Sequence, residues 1–140
     1  REVFYQLGQQ GVNLEGTLLK PNMVLSGKDA STRASSEEVA EKTIACFKRT
    51  VPAAIPGVVF LSGGQSDEEA TVNLNAINQT AKTVGVPWEM SFSYGRGLQT
   101  APQKAWSGQA ANMEKAKEAY YHRARVTSAA RDGTYSQEME

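Results

Sequence analysis

Gly57-Val58-Val59-Phe60-Leu61-Ser62-Gly63-Gly64-Gln65-Ser66-Asp67-Glu68-Glu69 is the stretch that decides the fold. Gly57 to Ser62 is a short continuous apolar run, the pattern of a strand covered on both faces. Gly63-Gly64 breaks it. Ser66, with Glu69 three residues later, is a capping box that opens a helix. Ala70, Leu74 and Ile77 mark that helix's apolar face. Strand, glycine turn and capped helix make one βα unit, and the flanking sequence repeats the architecture.

Upstream, a short helix tail ends at Gly11, and Val12 to Lys20 (VNLEGTLLK) is predicted as a strand stopped by Pro21. Residues 22–34 form a polar loop. Ser35 and Glu38 make another capping box, and Ala40, Thr43, Ile44 and Phe47 give a helix to about Arg49. Downstream, Thr80 to Pro87 is predicted as a loop. Trp88, Met90, Phe92 and Tyr94 alternate with polar residues as a third strand. A short helix over Leu98–Trp106, limited by Pro102, precedes a longer one over Ala110–Arg131, with Gly133 past its end. The order α-β-α-β-α-β-α-α argues for an α/β fold with a parallel sheet. Three strands cannot enclose such a sheet, so its completion is expected from residues outside the chain.

The 140 residues fit one domain, 1–140, with no internal boundary. Fifteen basic and 15 acidic residues cancel, which removes the basic excess of a phosphate-gripping nucleic-acid binder. Hydrophobic residues at 40% argue against a disordered chain. Cys46 is alone, so no disulfide framework is expected, and its place in an amphipathic helix suggests a packed thiol. No apolar run is long enough for a membrane span. The opening Arg1-Glu2-Val3-Phe4-Tyr5-Gln6 does not read as a signal peptide. It starts without Met in what reads as a helix, so the chain is expected to be a piece of something longer.

The chemistry gathers at the C-terminal strand ends, which share one face of a parallel α/β fold. The first delivers Lys20, the second Ser62-Gly63-Gly64 and a helix start, the third Ser93-Tyr94-Gly95-Arg96. Glycines let a backbone approach a ligand closely, and a helix N-terminus favours phosphate. Arg96 offers a planar fork for phosphate oxygens and Ser93 a hydroxyl. Taken singly, each turn is explained as well by a ligand-free loop or a surface arginine. Two on neighbouring strands point to an anion site. Lys20 is either solvated at the rim or a nucleophilic amine that forms an imine with a carbonyl. Glu15 reads as a structural hydrogen-bond partner. Asp67, Glu68 and Glu69 read as first-turn partners of the helix dipole. His122, the single histidine, falls on a solvated helix face. No His/Cys cluster suggests a metal site.

Leu14-Glu15-Gly16-Thr17-Leu18-Leu19-Lys20-Pro21-Asn22-Met23 resembles the segment around the Schiff-base lysine of class I fructose-bisphosphate aldolases. Phe60-Leu61-Ser62-Gly63-Gly64-Gln65-Ser66, Asn73-Leu74-Asn75-Ala76-Ile77-Asn78, Phe92-Ser93-Tyr94-Gly95-Arg96 and Lys104-Ala105-Trp106 also resemble family motifs, in the family's order. The resemblance covers nearly the whole chain. It implies the C-terminal part of a (β/α)8 TIM barrel, strands six to eight. It implies reversible cleavage of fructose 1,6-bisphosphate to dihydroxyacetone phosphate and glyceraldehyde 3-phosphate, without metal or cofactor. By that likeness Lys20 forms the imine, and Ser62, Gly63, Gly64, Ser93, Gly95 and Arg96 bind a substrate phosphate. A homotetramer in the cytoplasm or a plastid is implied, with no nucleic acid or membrane partner.

The chain departs from the family in four ways. The family's remaining acid/base carboxylates and lysine lie on earlier strands, and its terminal tyrosine has no counterpart before Glu140. Val24-Leu25-Ser26-Gly27 replaces the usual Val-Thr-Pro-Gly, and Gly97 the common Ala. The 140 residues alone are therefore expected to be inactive. Two rivals remain: another phosphosugar enzyme using Lys20 only as a charge, and a non-catalytic scaffold or partner-binding role.

Overall fold

Ser66 Oγ accepts the Glu69 N–H at 3.1 Å, so the hydroxyl half of the expected capping box starts a helix where the sequence places it. Ser35 Oγ accepts the Glu38 N–H in the same way at 3.3 Å. The computed structural model describes all residues, Arg1–Glu140. Its helices are α1 (Glu2–Gln9), α2 (Ser36–Thr50), α3 (Asp67–Val84), α4 (Arg96–Trp106) and α5 (Met113–Arg131). Its strands are β1 (Leu18–Leu19), β2 (Gly57–Phe60) and β3 (Glu89–Phe92). None of the helices is long and apolar enough to cross a membrane.

The strands form one parallel sheet in the order β1-β2-β3. Leu18 lies opposite Gly57, and Phe60 opposite Phe92. A parallel pair needs a crossover, and α2 and α3 supply the two. Leu19, Val58 and Met90 lie on the side covered by helices, where Val58 and Met90 are buried. Phe60 shares that side, stacked on Phe47 at 5.8 Å; the Trp88 ring stands edge-on to Phe47 at 6.3 Å. The buried face of α3, Ala70, Leu74, Ile77 and Ala81, keeps the helical spacing read from the sequence. Asn78 Nδ2 donates to the Leu74 and Ala130 carbonyls and so ties α3 to α5. The other side of the sheet stays uncovered: Leu18 is 60% exposed, and Val59 and Ser91 are only half-buried.

The structure corrects several expectations. The first strand shrinks to two residues. Asn13 Oδ1 accepts the Glu15 N–H, and Leu14–Gly16 winds into a 3-10 turn, because this local side-chain bond competes with ladder pairing. The expected loop from Thr80 belongs instead to α3, which continues to Val84 and stops at Gly85 (φ +67°). Ala81 extends its buried stripe, and Lys82 Nζ donates to the Asp132 carbonyl at 2.6 Å. Helix α4 begins two residues earlier than expected and runs through Pro102, while Ala110–Asn112 is a 3-10 turn leading into α5. Cys46 is exposed rather than packed, since the buried stripe of α2 is Val39, Ala40, Thr43, Ile44 and Phe47.

Phe60 is fully buried between α2 and the sheet. Phe60→Ala is expected to cost about 3–5 kcal/mol of unfolding free energy. Urea denaturation of both forms measures it, and a loss below about 1 kcal/mol would contradict this account of the core.

Candidate functional site

The hydrogen-bond ladder continues past the ends of the strands. The Leu61 N–H donates to the Pro21 carbonyl at 3.1 Å, and the Ser93 N–H to the Phe60 carbonyl at 2.8 Å. These two bonds hold the three segments after β1, β2 and β3 side by side, about 5 Å apart. Lys20, Ser62 and Ser93 therefore stand at one edge of the sheet, as the sequence predicted. Lys20 is exposed; strand alternation puts it on the uncovered face with Leu18.

The glycine turn takes its shape from local constraints. Gly63 and Gly64 both have positive φ, +47° and +81°. A Cβ on Gly63 would lie 2.1 Å from Asn22 Oδ1, so the loop after β1 packs directly on the turn after β2. Gln65 Nε2 donates to the Ser62 carbonyl at 3.1 Å, and Gln65 Oε1 accepts from Asn73 Nδ2 at 2.7 Å. This bracing fixes the first turn of α3 relative to Ser62. Ser62 itself is buried. Gly95 differs from the expectation of a close backbone approach: its φ is −86°, and a Cβ there would meet open space. Gly97 is the tight glycine of this loop. A Cβ on it would sit 3.3 Å from both Ser62 Cβ and Tyr94 Cδ2. Below it, the Tyr94 hydroxyl donates to the Ala70 carbonyl at 3.0 Å, and burial pushes the phenol's pKa up.

Ser62, Gly64 and Arg96 line one cleft of about 640 Å3, with residues of α4 and α5 completing its lining. Lys20, Ser93 and Gly95 do not line it; Gly63 and Gly64 border a second hollow with Asn22 and Met23. Arg96, Thr100 and Lys104 follow at four-residue spacing along α4, so they form one stripe on the cleft wall. His122 and Arg123 from α5 also line it.

His122 is thus half-buried in the cleft rather than on a solvated face. The cause is Glu140, whose carboxylate lies 3.5 Å from His122 Nε2 and accepts from Arg123 Nη1 and from the Tyr135 hydroxyl. Burial alone would raise the Glu140 pKa. The Arg123 hydrogen bond and charge, with the hydrogen bonds of His122 and Tyr135, outweigh it and hold the group below its ordinary 4.5. The Tyr135 phenol is pushed up to about 12, first by burial and then by the Glu140 charge.

The class-I fructose-bisphosphate aldolase family model matches residues 1–140. The chain belongs to that family. It is 54% identical over 129 residues to the cytosolic fructose-bisphosphate aldolase 4 of Arabidopsis thaliana, covering 92% of this chain and 32% of the relative. It is 50% identical over 133 residues to fructose-bisphosphate aldolase B of Homo sapiens, covering 95% and 36%. A solved Plasmodium falciparum fructose-bisphosphate aldolase, in complex with TRAP and a small-molecule inhibitor, superposes with a TM-score of 0.90 at 48% identity over 96% of this chain and 38% of that one. The chain thus spans about a third of its relatives' length, and its α/β fold with a parallel sheet is that of the corresponding part of an aldolase.

Sequence reasoning missed Gln65, Thr100, Arg123 and Glu140 as cleft residues. One signal was present for Arg123. It stands at the apolar spacing of Val126, Thr127 and Ala130, where a charge has to find a buried partner.

Two measurements test this geometry. Gly63→Ala forces a side chain into the left-handed region and against Asn22, so it is expected to cost about 1–3 kcal/mol of stability; an equilibrium denaturation curve unchanged from the parent would refute the turn. Glu140 has a lowered folded-state pKa, so its contribution is complete above 4.5 and is lost as pH falls through the folded value. Stability should therefore rise with pH across the acid range, and Glu140→Gln should flatten that slope in melting temperatures recorded from acid to neutral pH.

Proposed function

We propose that these residues carry the imine-forming third of a class I fructose-bisphosphate aldolase and that the 140 residues are part of one barrel domain, contributing its strands six to eight. The observation that supports it most is the ladder that holds Lys20 beside the Ser62-Gly63-Gly64 turn, with Ser93-Tyr94-Gly95-Arg96 on the far side. Family membership supports the substrate class, a phosphorylated ketose; its relatives' names give fructose bisphosphate, which we take as the 1,6 isomer.

The chemistry follows from the residue types. The neutral Lys20 amine attacks the ketose carbonyl carbon, and loss of water with uptake of one proton leaves a protonated imine. A base takes the proton of the C4 hydroxyl as the C3–C4 bond breaks. The electron pair of that bond moves into the iminium, giving an enamine and releasing the aldehyde. Protonation of the enamine and hydrolysis return the amine and the second product. Within this chain Arg96 and the Ser62 and Ser93 hydroxyls bind one phosphate, helped by N–H groups at the Gly63-Gly64 and Gly95 turns. The acid/base groups come from the rest of the barrel, so the 140 residues alone bind substrate weakly and do not turn it over.

The assembled enzyme is a homotetramer by family likeness. Cytoplasmic residence fits the cytosolic relatives, and a plastid fits the chloroplastic aldolase 3 of Arabidopsis thaliana at 48% identity. A partner-binding role is the second reading, favoured by the solved aldolase whose complex includes TRAP.

A chimaera in which these residues replace the matching third of a relative's chain tests the proposal. Incubation with dihydroxyacetone phosphate and borohydride should fix one adduct on Lys20, located by peptide mass mapping. Lys20→Ala should abolish both adduct and cleavage, and Arg96→Ala should raise KM about tenfold or more, as loss of a charged hydrogen bond implies. An active chimaera with no adduct at Lys20 would sink the imine assignment. An inactive one that still binds a relative's protein partner would favour the second reading.

A further inference from the structure

The outer end of the cleft holds a buried charge that the proposed reaction does not use. Arg123 is 5% exposed. It donates through Nη2 to the Asp67 carbonyl at 3.1 Å and to Thr71 Oγ1 at 2.7 Å, and through Nη1 to the Glu140 carboxylate. Its Nε is buried with no hydrogen-bond partner. A buried guanidinium requires a counter-charge close by. Here Glu140 supplies it, from the end of a 3-10 turn, Gln137–Met139. Guanidinium, imidazole and phenol around one carboxylate are equally the donors that hold phosphate oxygens.

The charges of the cleft point the same way. Arg96, Lys104 and Arg123 line it together with Asp67, Glu68 and Glu140, so its permanent charges balance while Glu140 is in place. Withdrawing that carboxylate leaves a positive excess. The segment that carries it is lightly fastened. Beyond the Glu140 contacts, Gln137 Nε2 donates to Glu68 Oε1, while Gln137 and Met139 are exposed. Tyr135, buried and with its N–H donated to Asn75 Oδ1 at 3.0 Å, roots the segment.

We propose that Arg123, His122 and Tyr135 form an anion pocket at the outer end of the cleft, that the Glu140 carboxylate fills it as an internal ligand, and that a phosphate monoester takes its place when Gln137–Glu140 lifts. An internal ligand competes at an effective concentration of about millimolar, so an external phosphate binds weakly until the carboxylate is neutralised. Binding and lifting are linked, and each favours the other. The inference is independent of the imine chemistry at Lys20.

His122 is the single histidine, so its imidazole resonance reports on this pocket alone. The chimaera described above, isotopically labelled over these 140 residues only, is titrated with inorganic phosphate at constant ionic strength, following that resonance and the backbone amides of 137–140. Glu140→Gln is expected to bind phosphate about fivefold or more tightly than the parent, the lower end of usual coupling. In the parent, saturation should free the 137–140 amides. Arg96→Ala should leave the His122 response intact. Equal affinity in parent and Glu140→Gln, amides still protected at saturation, or a response lost with Arg96 would each overturn the proposal. If Glu140→Gln fails to fold, the parent titration decides through the amides alone.

Discussion

Strand β2 hydrogen-bonds to a parallel neighbour on each side, and every other feature of the site depends on that double pairing. A parallel ladder fixes direction as well as spacing, so three strand ends must emerge together. The loops after them then inherit their positions. Asn22 meets Gly63, and Gly97 meets Ser62, because the sheet has already brought those backbones within reach. The site needs no long-range loop to assemble it. The anchoring cost is met in the core: Phe60 closes the end of β2 against Phe47 on α2, and Tyr94 caps β3 with a hydrogen bond to the first turns of α3.

Energetically the two glycine turns do different work. Gly63 and Gly64 relieve backbone strain, since both occupy the left-handed region. Gly97 relieves crowding, since its φ is ordinary but its Cβ position is occupied by Ser62 and Tyr94. The departure from the family's common Ala at 97 therefore gives Ser62 a few tenths of an ångström more room. Gly95, which the sequence marks alongside Gly63 and Gly64, is under neither constraint.

Much of this was legible in the sequence because it is local. The capping serines, the buried stripe of α3 and the alternation from Trp88 to Tyr94 each act within a few residues, and each placed its element. The errors share the opposite property. Val12–Lys20 has a strand's alternation, yet Asn13 bends it and only β2 stabilises what remains. The end of α3 depends on Lys82 and Gln79 reaching Asp132 and Gly133, 50 and 54 residues away. The cleft's outer wall was illegible for the same reason: Arg123 acquires its meaning from Thr71 and Glu140, which no spacing rule connects. The ends of the strands were legible as a set only because a parallel sheet aligns them.

The uncovered face of the sheet sets the limit on what this chain's own residues can do. An amine attacks a carbonyl only when neutral, and burial or neighbouring cations favour that form. Lys20 stands exposed on the same face as Leu18, which is 60% open. Burying that leucine fully is worth about 1.5–3 kcal/mol, so the face that needs covering for stability also carries the amine whose proposed imine chemistry needs enclosure. In a closed barrel a single set of neighbours answers both needs. The cleft differs: its lining residues Ser62, Gly64 and Arg96 follow the end of β2 and open α4, within this chain. The proposed anion binding therefore draws on residues of this chain alone, while the proposed carbon–carbon bond cleavage draws on the closed barrel.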